Sequence, residues 1–286
     1  METANELAVR LSDASEKKAW NVYSAFEWPE KLDESQWMMS PELVSLYGTD
    51  AWDGLSEAQQ KKLSLHEVAN LFSMTLNGER ILIGNLSTKL YANTSTEITR
   101  FLHHFVAEEN NHMVMFGMFC NRYTGGVPRE KKLALPRQYE KGEQDVELFI
   151  MALVVEELGD VYNIEIGRDE RVHPLVRAIN NFHHRDEARH IAFGRVYLRE
   201  LWEQWAPTWK PETVERFRNW VAEYLAGSWR DFYSPSIYAK AGVADPYAVR
   251  QAALASPVCR QHRERISRKL VNLLLDIGIL HEQPAL

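Results

Sequence analysis

Two short stretches of this chain put carboxylates and imidazoles at spacings that a helix turns into one face. The first is EENNH, from Glu108 to His112, and the second is FHHRDEARH, from Phe182 to His190. A helix turns about 100° per residue. Glu109 and His112, three apart, are therefore neighbours on one face. In the second stretch, Glu187 lies about 40° to one side of His183 and His190 about 20° to the other, so all three side chains share a face. A carboxylate and an imidazole so placed can hold one metal ion. Two such helices can hold two ions, with carboxylates bridging them. Oxygen and imidazole donors in this mixture suit iron or manganese better than zinc, whose structural sites are closed and tetrahedral.

A bundle site of this kind takes one further glutamate from each of two other helices. The stripe Phe72, Leu76, Glu79, Ile83, Leu86, Leu90 is apolar except for Glu79. A carboxylate in a buried stripe is costly unless paired or metal-bound, which makes Glu79 one candidate. The sequence LVVEELGDVYNIE offers Glu156 and Glu157 for the other. Periodicity leaves that choice open: Glu157 follows the stripe Ile150, Val154, Val161, Ile164, while Glu156 sits between Leu153 and Asp160. One of the two is expected to be a solvated surface acid. Asp186 and Glu108 each precede a ligand-type glutamate. They are placed to accept the outer N–H of the histidine on the opposite helix, as acids behind metal-bound imidazoles commonly do. His183 adds a nitrogen to the plain pair of ExxH motifs, and its position allows it to reach the same metal as His190.

The other histidines read as structural. His184 points about 100° away from His183, His103 and His104 lie a turn or more before Glu109, and His66, His173, His262 and His281 have no partner at ligand spacing. The nine tryptophans and Cys120 read as core and packing residues.

Helices must position these groups, and the chain is helical in pattern almost throughout. Period-3.6 stripes are long and period-2 alternation is scarce. A short amphipathic helix is expected over about residues 12–26, ending before Pro29, then irregular chain over 30–55. Long helices are expected over about 64–92, 95–123, 145–167 and from Pro174 to about 205. Gly125 and Gly126, followed by Pro128, stop the second, and a loop with Pro136 and Gly142 leads to the third. Pro207 and Pro211 break the chain, and further helices follow over about 212–233 and 257–277. The fold class expected is all-α: a ferritin-like four-helix bundle, core about 64–205, with additional N- and C-terminal helices in one domain of residues 1–286.

Composition agrees with a globular chain. Hydrophobic residues make 45% and charged residues 26% of 286 positions, enough apolar material for a sizeable core. A formal net charge of −7 gives no basic excess for a nucleic-acid partner. No apolar run is long enough for a membrane span, the first residues lack a signal-peptide apolar region, and two cysteines make no disulfide framework. A cytoplasmic setting is expected.

The motifs NGER around Glu79, EENNH, VVEELGDVYN and RDERVHPLVRAINNFHHRDEARH resemble the p-aminobenzoate N-oxygenase (AurF-type) di-iron family. The resemblance covers roughly residues 65–205. Its uninterrupted spacing from Glu156 to His190 places the third-helix ligand on Glu156. It implies seven ligands: Glu79, Glu109, His112, Glu156, His183, Glu187 and His190. It also implies two iron ions, with manganese as the alternative metal, and O₂ as co-substrate. The implied reaction is oxygen transfer to a primary amine, aryl or amino-acid-derived, giving a hydroxylamine and further nitroso or nitro products. Expected partners are the amine, free or carrier-protein-bound, and an external ferredoxin or flavin reductase, since the chain has no GxGxxG of its own. A second copy in a homodimer is also expected. No catalytic residue beyond the metal ligands is expected.

Two other functions fit the motifs. A di-iron hydroxylase or desaturase acting on carbon would use the same paired motifs without needing His183. A non-catalytic iron-storage or iron-sensing protein would need only a compact bundle, against which the large terminal segments argue.

Overall fold

The structure, a computed structural model, describes residues 2–92, 94–127 and 138–286. Its elements are α1 (Ala4–Lys17), α2 (Asp50–Asp53), α3 (Glu57–Lys89), α4 (Thr96–Tyr123), α5 (Glu143–Arg168), α6 (Pro174–Trp205), α7 (Pro211–Phe232), α8 (Pro235–Lys240), α9 (Pro246–Ala255) and α10 (Pro257–Asp276). No strand forms among the described residues; Trp37 and Val172 make an isolated bridge.

Local chemistry sets the ends. At α3, Ser56 and Gln59 form a reciprocal capping box, each side chain accepting from the other's backbone N–H. Ser95 caps α4 by accepting from Ile98 N. Proline opens α6, α7, α8, α9 and α10, where its missing N–H would have no helical partner anyway. Gly142 precedes α5 at φ 77°, and a Cβ there would meet the Trp205 ring at 2.3 Å, so both backbone and packing require glycine.

Helices α3, α4, α5 and α6 form the bundle: α3 packs on α4 and α5, and α6 on α5 and α4. The inner faces supply a continuous apolar core in which Phe72 stacks on Phe116 with centroids 4.7 Å apart. At Gly167 a Cβ would meet Asn181 Oδ1 at 2.3 Å, so glycine there lets α5 and α6 approach closely. The additional helices cover opposite sides. α1 lies against α4 and α6, whereas α7, α8 and α10 lie against α3 and α5. No helix among the described residues is long and apolar enough to cross a membrane.

The all-α, ferritin-like bundle is as the sequence indicates, with three differences. The first helix runs over Ala4–Lys17 rather than 12–26, because Thr3 and Glu6 form a capping box that starts it earlier. α3 begins about two turns earlier than residue 64, at its own capping box. α2, α8 and α9 fall in segments read only as irregular or connecting. The expected loop residues Pro128 and Pro136 lie outside the described residues.

Candidate metal centre

Seven side chains converge between α3, α4, α5 and α6 in two buried groups. One is Glu79, His112, His183 and Glu187; the other is Glu109, Glu156, Glu187 and His190. Within each group one potential donor atom per residue lies within 4.8 Å of the others, and Glu187 belongs to both. They are the seven residues that the family resemblance implies as ligands, periodicity alone leaving Glu156 and Glu157 open. None is more than 6% exposed.

His183 is placed differently from expectation. It joins His112, not His190. Its Nε2 lies 2.8 Å from Glu187 Oε1 and 3.4 Å from Glu79 Oε1. His183 and His190 share a face but stand seven residues apart, about 10 Å along the axis. Glu187, between them, faces both groups. His190 Nδ1 sits 2.9 Å from Glu109 Oε1 and 3.5 Å from Glu187 Oε2.

The glutamate pair on α5 resolves by partner. Glu156 enters the second group. Glu157 is not a solvated acid; it is 5% exposed and receives the Arg195 guanidinium through Nε at 2.7 Å and Nη2 at 2.5 Å. α5 is apolar on most of its circumference, so its sequence has no polar side from which to choose between the two.

Behind the rings stands a polar layer. Glu108 Oε2 is 2.8 Å from His190 Nε2, and Asp186 Oδ2 is 3.3 Å from His112 Nε2. Each acid serves the histidine of the opposite helix, which fixes the Nε2–H tautomer and turns Nδ1 inward. Arg189 joins the two acids: its Nη2 donates to Glu108 Oε1 at 2.6 Å and to Asp186 Oδ1 at 2.8 Å. Ser15 accepts from Arg189 Nε at 2.9 Å, and Trp20 Nε1 donates to Asp186 Oδ2 at 2.7 Å. Asn163 Nδ2 lies 2.8 Å from His183 Nδ1. Phe105 stacks on the His190 ring at 3.9 Å, and Phe116 meets the His183 ring edge-on at 4.9 Å.

Sequence reasoning missed Arg189, Asn163 and Trp20. Arg189 sits three residues after Asp186, and Asn163 seven after Glu156, so helical spacing held a signal for both. Trp20 had none; its contact with Asp186 spans 166 positions.

The site carries an electrostatic deficit that cations would fill. Burial pushes the Glu79 carboxyl up to about 7 and holds Glu156 well above its ordinary value, where Glu187 and Glu109 add repulsion. Burial also opposes charge on Glu187, but His183 and His190 overcome it and hold that group well below the usual range. Both Glu79 oxygens, Glu109 Oε1, Glu156 Oε1, Glu187 Oε2, His183 Nε2 and His190 Nδ1 are buried with no aligned hydrogen-bond partner among the described residues. Buried polar atoms are rarely left so, and here all of them point into the two groups. Four carboxylates match the charge of two divalent ions, and three imidazoles offer bare nitrogens. The residues therefore fit a di-metal cofactor.

A cavity of about 610 Å³ reaches the groups from the side of α3, α5 and the segment from α7 to α9. Glu79, Glu109, Glu156, His183 and Glu187 line its inner end; Leu71, Met74, Leu82, Met151 and Val155 line much of its course.

The family model for p-aminobenzoate N-oxygenase AurF matches residues 1–278. The chain belongs to the p-aminobenzoate N-oxygenase AurF family. The match extends well past residues 65–205, where the motifs lie, into both terminal segments. Curated relatives include an uncharacterized protein of Mycobacterium tuberculosis (Rv0885) and one of Mycobacterium bovis (Mb0909). Each is 27% identical over 255 residues, covering 80% of this chain and 73% of the relative. AurF-family membership and the two buried groups together indicate an oxygenase with a di-iron type of centre.

Proposed function

We propose that the chain is a di-iron, O₂-dependent N-oxygenase that converts a primary amine to a hydroxylamine and onward to nitroso or nitro products. The observation that carries the reading is His183, a third imidazole whose unpartnered Nε2 faces Glu79 and Glu187 inside the candidate centre. Glu79, His112, His183 and Glu187 would hold one iron, and Glu109, Glu156, Glu187 and His190 the other. When bound, two reduced irons supply the electrons and the Lewis acidity that O₂ activation needs.

The remaining work belongs to the chain. Asp186 and Glu108 hold the outer N–H of His112 and His190, so both rings present Nδ1 inward. Arg189 fixes the two acids against each other. Phe105 and Phe116 wall the histidines off from water, and Leu71, Met74 and Val155 keep the approach apolar. The cavity volume falls within the range of small-molecule sites. An amine entering from the cavity would reach the end lined by Glu79, Glu109, Glu156, His183 and Glu187. Electrons come from an external ferredoxin- or flavin-type reductase. The setting is the cytoplasm and the assembly a homodimer.

A second reading has support in the same cavity. Its largely apolar course suits a hydrocarbon as well as an amine, which would make the enzyme a carbon hydroxylase or desaturase. The test is to load the protein with ferrous iron, add O₂, and offer a panel of arylamines, amino acids and fatty-acid derivatives with mass analysis of products. N-oxygenated amines support the first reading, and oxidised carbon without N-oxygenation overturns it.

A further inference from the structure

Away from the cavity, residues 18–29 follow α1 without forming a helix and carry Trp20, Phe26 and Trp28. The Trp20 indole N–H donates to Asp186 Oδ2 at 2.7 Å, and the same oxygen lies 3.3 Å from His112 Nε2. The other nitrogen of that ring faces Glu109 and Glu187, each at 3.4 Å. A polar series thus runs from the candidate metal pair to a half-buried indole. Beyond it, Trp20 meets Phe26 at 5.9 Å, Phe26 meets Trp28 at 5.8 Å, and Trp28 stacks on Tyr123 at 6.4 Å. Neither Trp20, Trp28, Tyr123, Asp186 nor His112 lines the cavity. Substrate would approach one side of the centre, and this series leaves from the other.

A tryptophan buried only for packing needs some acceptor for its N–H, and a backbone carbonyl would serve. Here the acceptor is the carboxylate that orients a candidate ligand ring. That arrangement joins an oxidisable side chain to the centre and sets a carboxylate against the indole N–H.

We propose that Trp20 is a redox-active residue, a one-electron outlet for the metal pair after O₂ has oxidised it with no amine bound. The proposal rests on the di-iron reading above. One electron leaves the indole, passes by way of Asp186 and His112, and reduces the oxidised pair by one equivalent. Asp186 stays ionised and balances the charge of the indole radical cation across the hydrogen bond. A small-molecule thiolate then returns one electron, restoring Trp20, and two thiyl radicals combine as a disulfide. Trp28 and Tyr123 extend the path across the surface. The outlet spares the ligands and the cavity walls from an oxidant that has nothing else to attack.

The test mixes the iron-loaded, reduced protein with O₂ in the absence of amine and thiol, freezes it rapidly and records the electron paramagnetic resonance spectrum. An organic radical is expected whose hyperfine pattern narrows in protein grown on ring-deuterated tryptophan. Peptide mapping after repeated cycles should find added oxygen at Trp20 in preference to the other tryptophans, and added thiol should abolish it. In Trp20→Phe loaded to the same iron content, the radical and the labelled peptide should be lost. The deuterated wild type decides the matter if that variant folds poorly. A radical unaltered by deuterated tryptophan, or oxidation centred elsewhere, overturns the outlet while leaving the di-iron reading intact. Protein that binds no iron or consumes no O₂ overturns both.

Discussion

Asn163 and His183, one on α5 and one on α6, face each other at 2.8 Å in the buried core, Nδ2 of the amide against Nδ1 of the ring. The Asn163 contact holds the ring so that Nε2 faces Glu79 and Glu187. His183 thus presents Nε2 inward, whereas His112 and His190 present Nδ1.

This contact sets the first expectation. His183→Ala should keep most of its iron, since six donors remain, but lose amine oxidation. Asn163→Leu should keep the ring and lose its orientation, weakening metal affinity in the group of Glu79 by about 10–100-fold. Iron titration and product analysis on both variants check this. Undiminished amine oxidation in His183→Ala would remove the main reason for preferring nitrogen over carbon as the target.

Glu187 faces both groups, so its loss should be felt twice. Glu187→Ala is expected to reduce iron from about two per chain to below one, and Glu109→Ala to empty at least the group that contains His190. Elemental analysis of protein produced with iron available gives the answer. Full occupancy in both variants, or one tightly held zinc in the wild type, would contradict the ligand set.

Glu156 and Glu157 are adjacent, equally buried and opposite in expected effect. Glu156→Ala should abolish activity with little loss of fold, because its carboxyl is held above its ordinary range and has an unpartnered oxygen. Glu157→Ala should keep activity but lose stability by about 1 kcal/mol, since it removes the partner of the Arg195 guanidinium, whose side chain is 35% exposed and therefore screened by solvent. Denaturant midpoints and turnover measured side by side separate the two.

Glu67, on α3 away from the centre, should leave a mark on stability as pH changes. Burial pushes its carboxyl up to about 7, against the pull of hydrogen bonds from Ser45 N and Oγ. A raised carboxyl binds its proton more tightly folded than unfolded. Its contribution is therefore fully present below about 4.5, is lost as pH rises through about 7, and amounts to about 3 kcal/mol. Urea unfolding of the wild type and Glu67→Gln across that window is expected to show a steeper fall in the wild type. Parallel curves would mean that Glu67 ionises normally.

Arg189 ties Glu108 to Asp186 and so ties one histidine's support to the other's. Arg189→Met should weaken both groups together, leaving two acids without their shared cation, at a cost of about 3–5 kcal/mol. Calorimetric unfolding and the stoichiometry of iron binding report this. Loss of metal from one group alone would show that the acids act independently.

The sequence by itself determined what backbone geometry determines. Residues three, four and seven apart share a helix face whatever surrounds them, so EENNH and HxxxExxH announced two ligand faces before any packing was known. Prolines and glycines marked most helix ends, since they act within a few residues of themselves. A carboxylate in an apolar stripe exposed Glu79 by its cost of burial. Only the tertiary structure decided which faces meet. It put His183 with His112 rather than His190, because helical spacing fixes the direction of a side chain and not the helix it will face. It gave Glu157 its partner in Arg195, 38 positions away, where the family spacing points to Glu156 as the ligand but periodicity on so apolar a helix shows no inner side. It also brought Trp20 to Asp186 across 166 positions. Such contacts have no local signature, since they arise when separate helices pack.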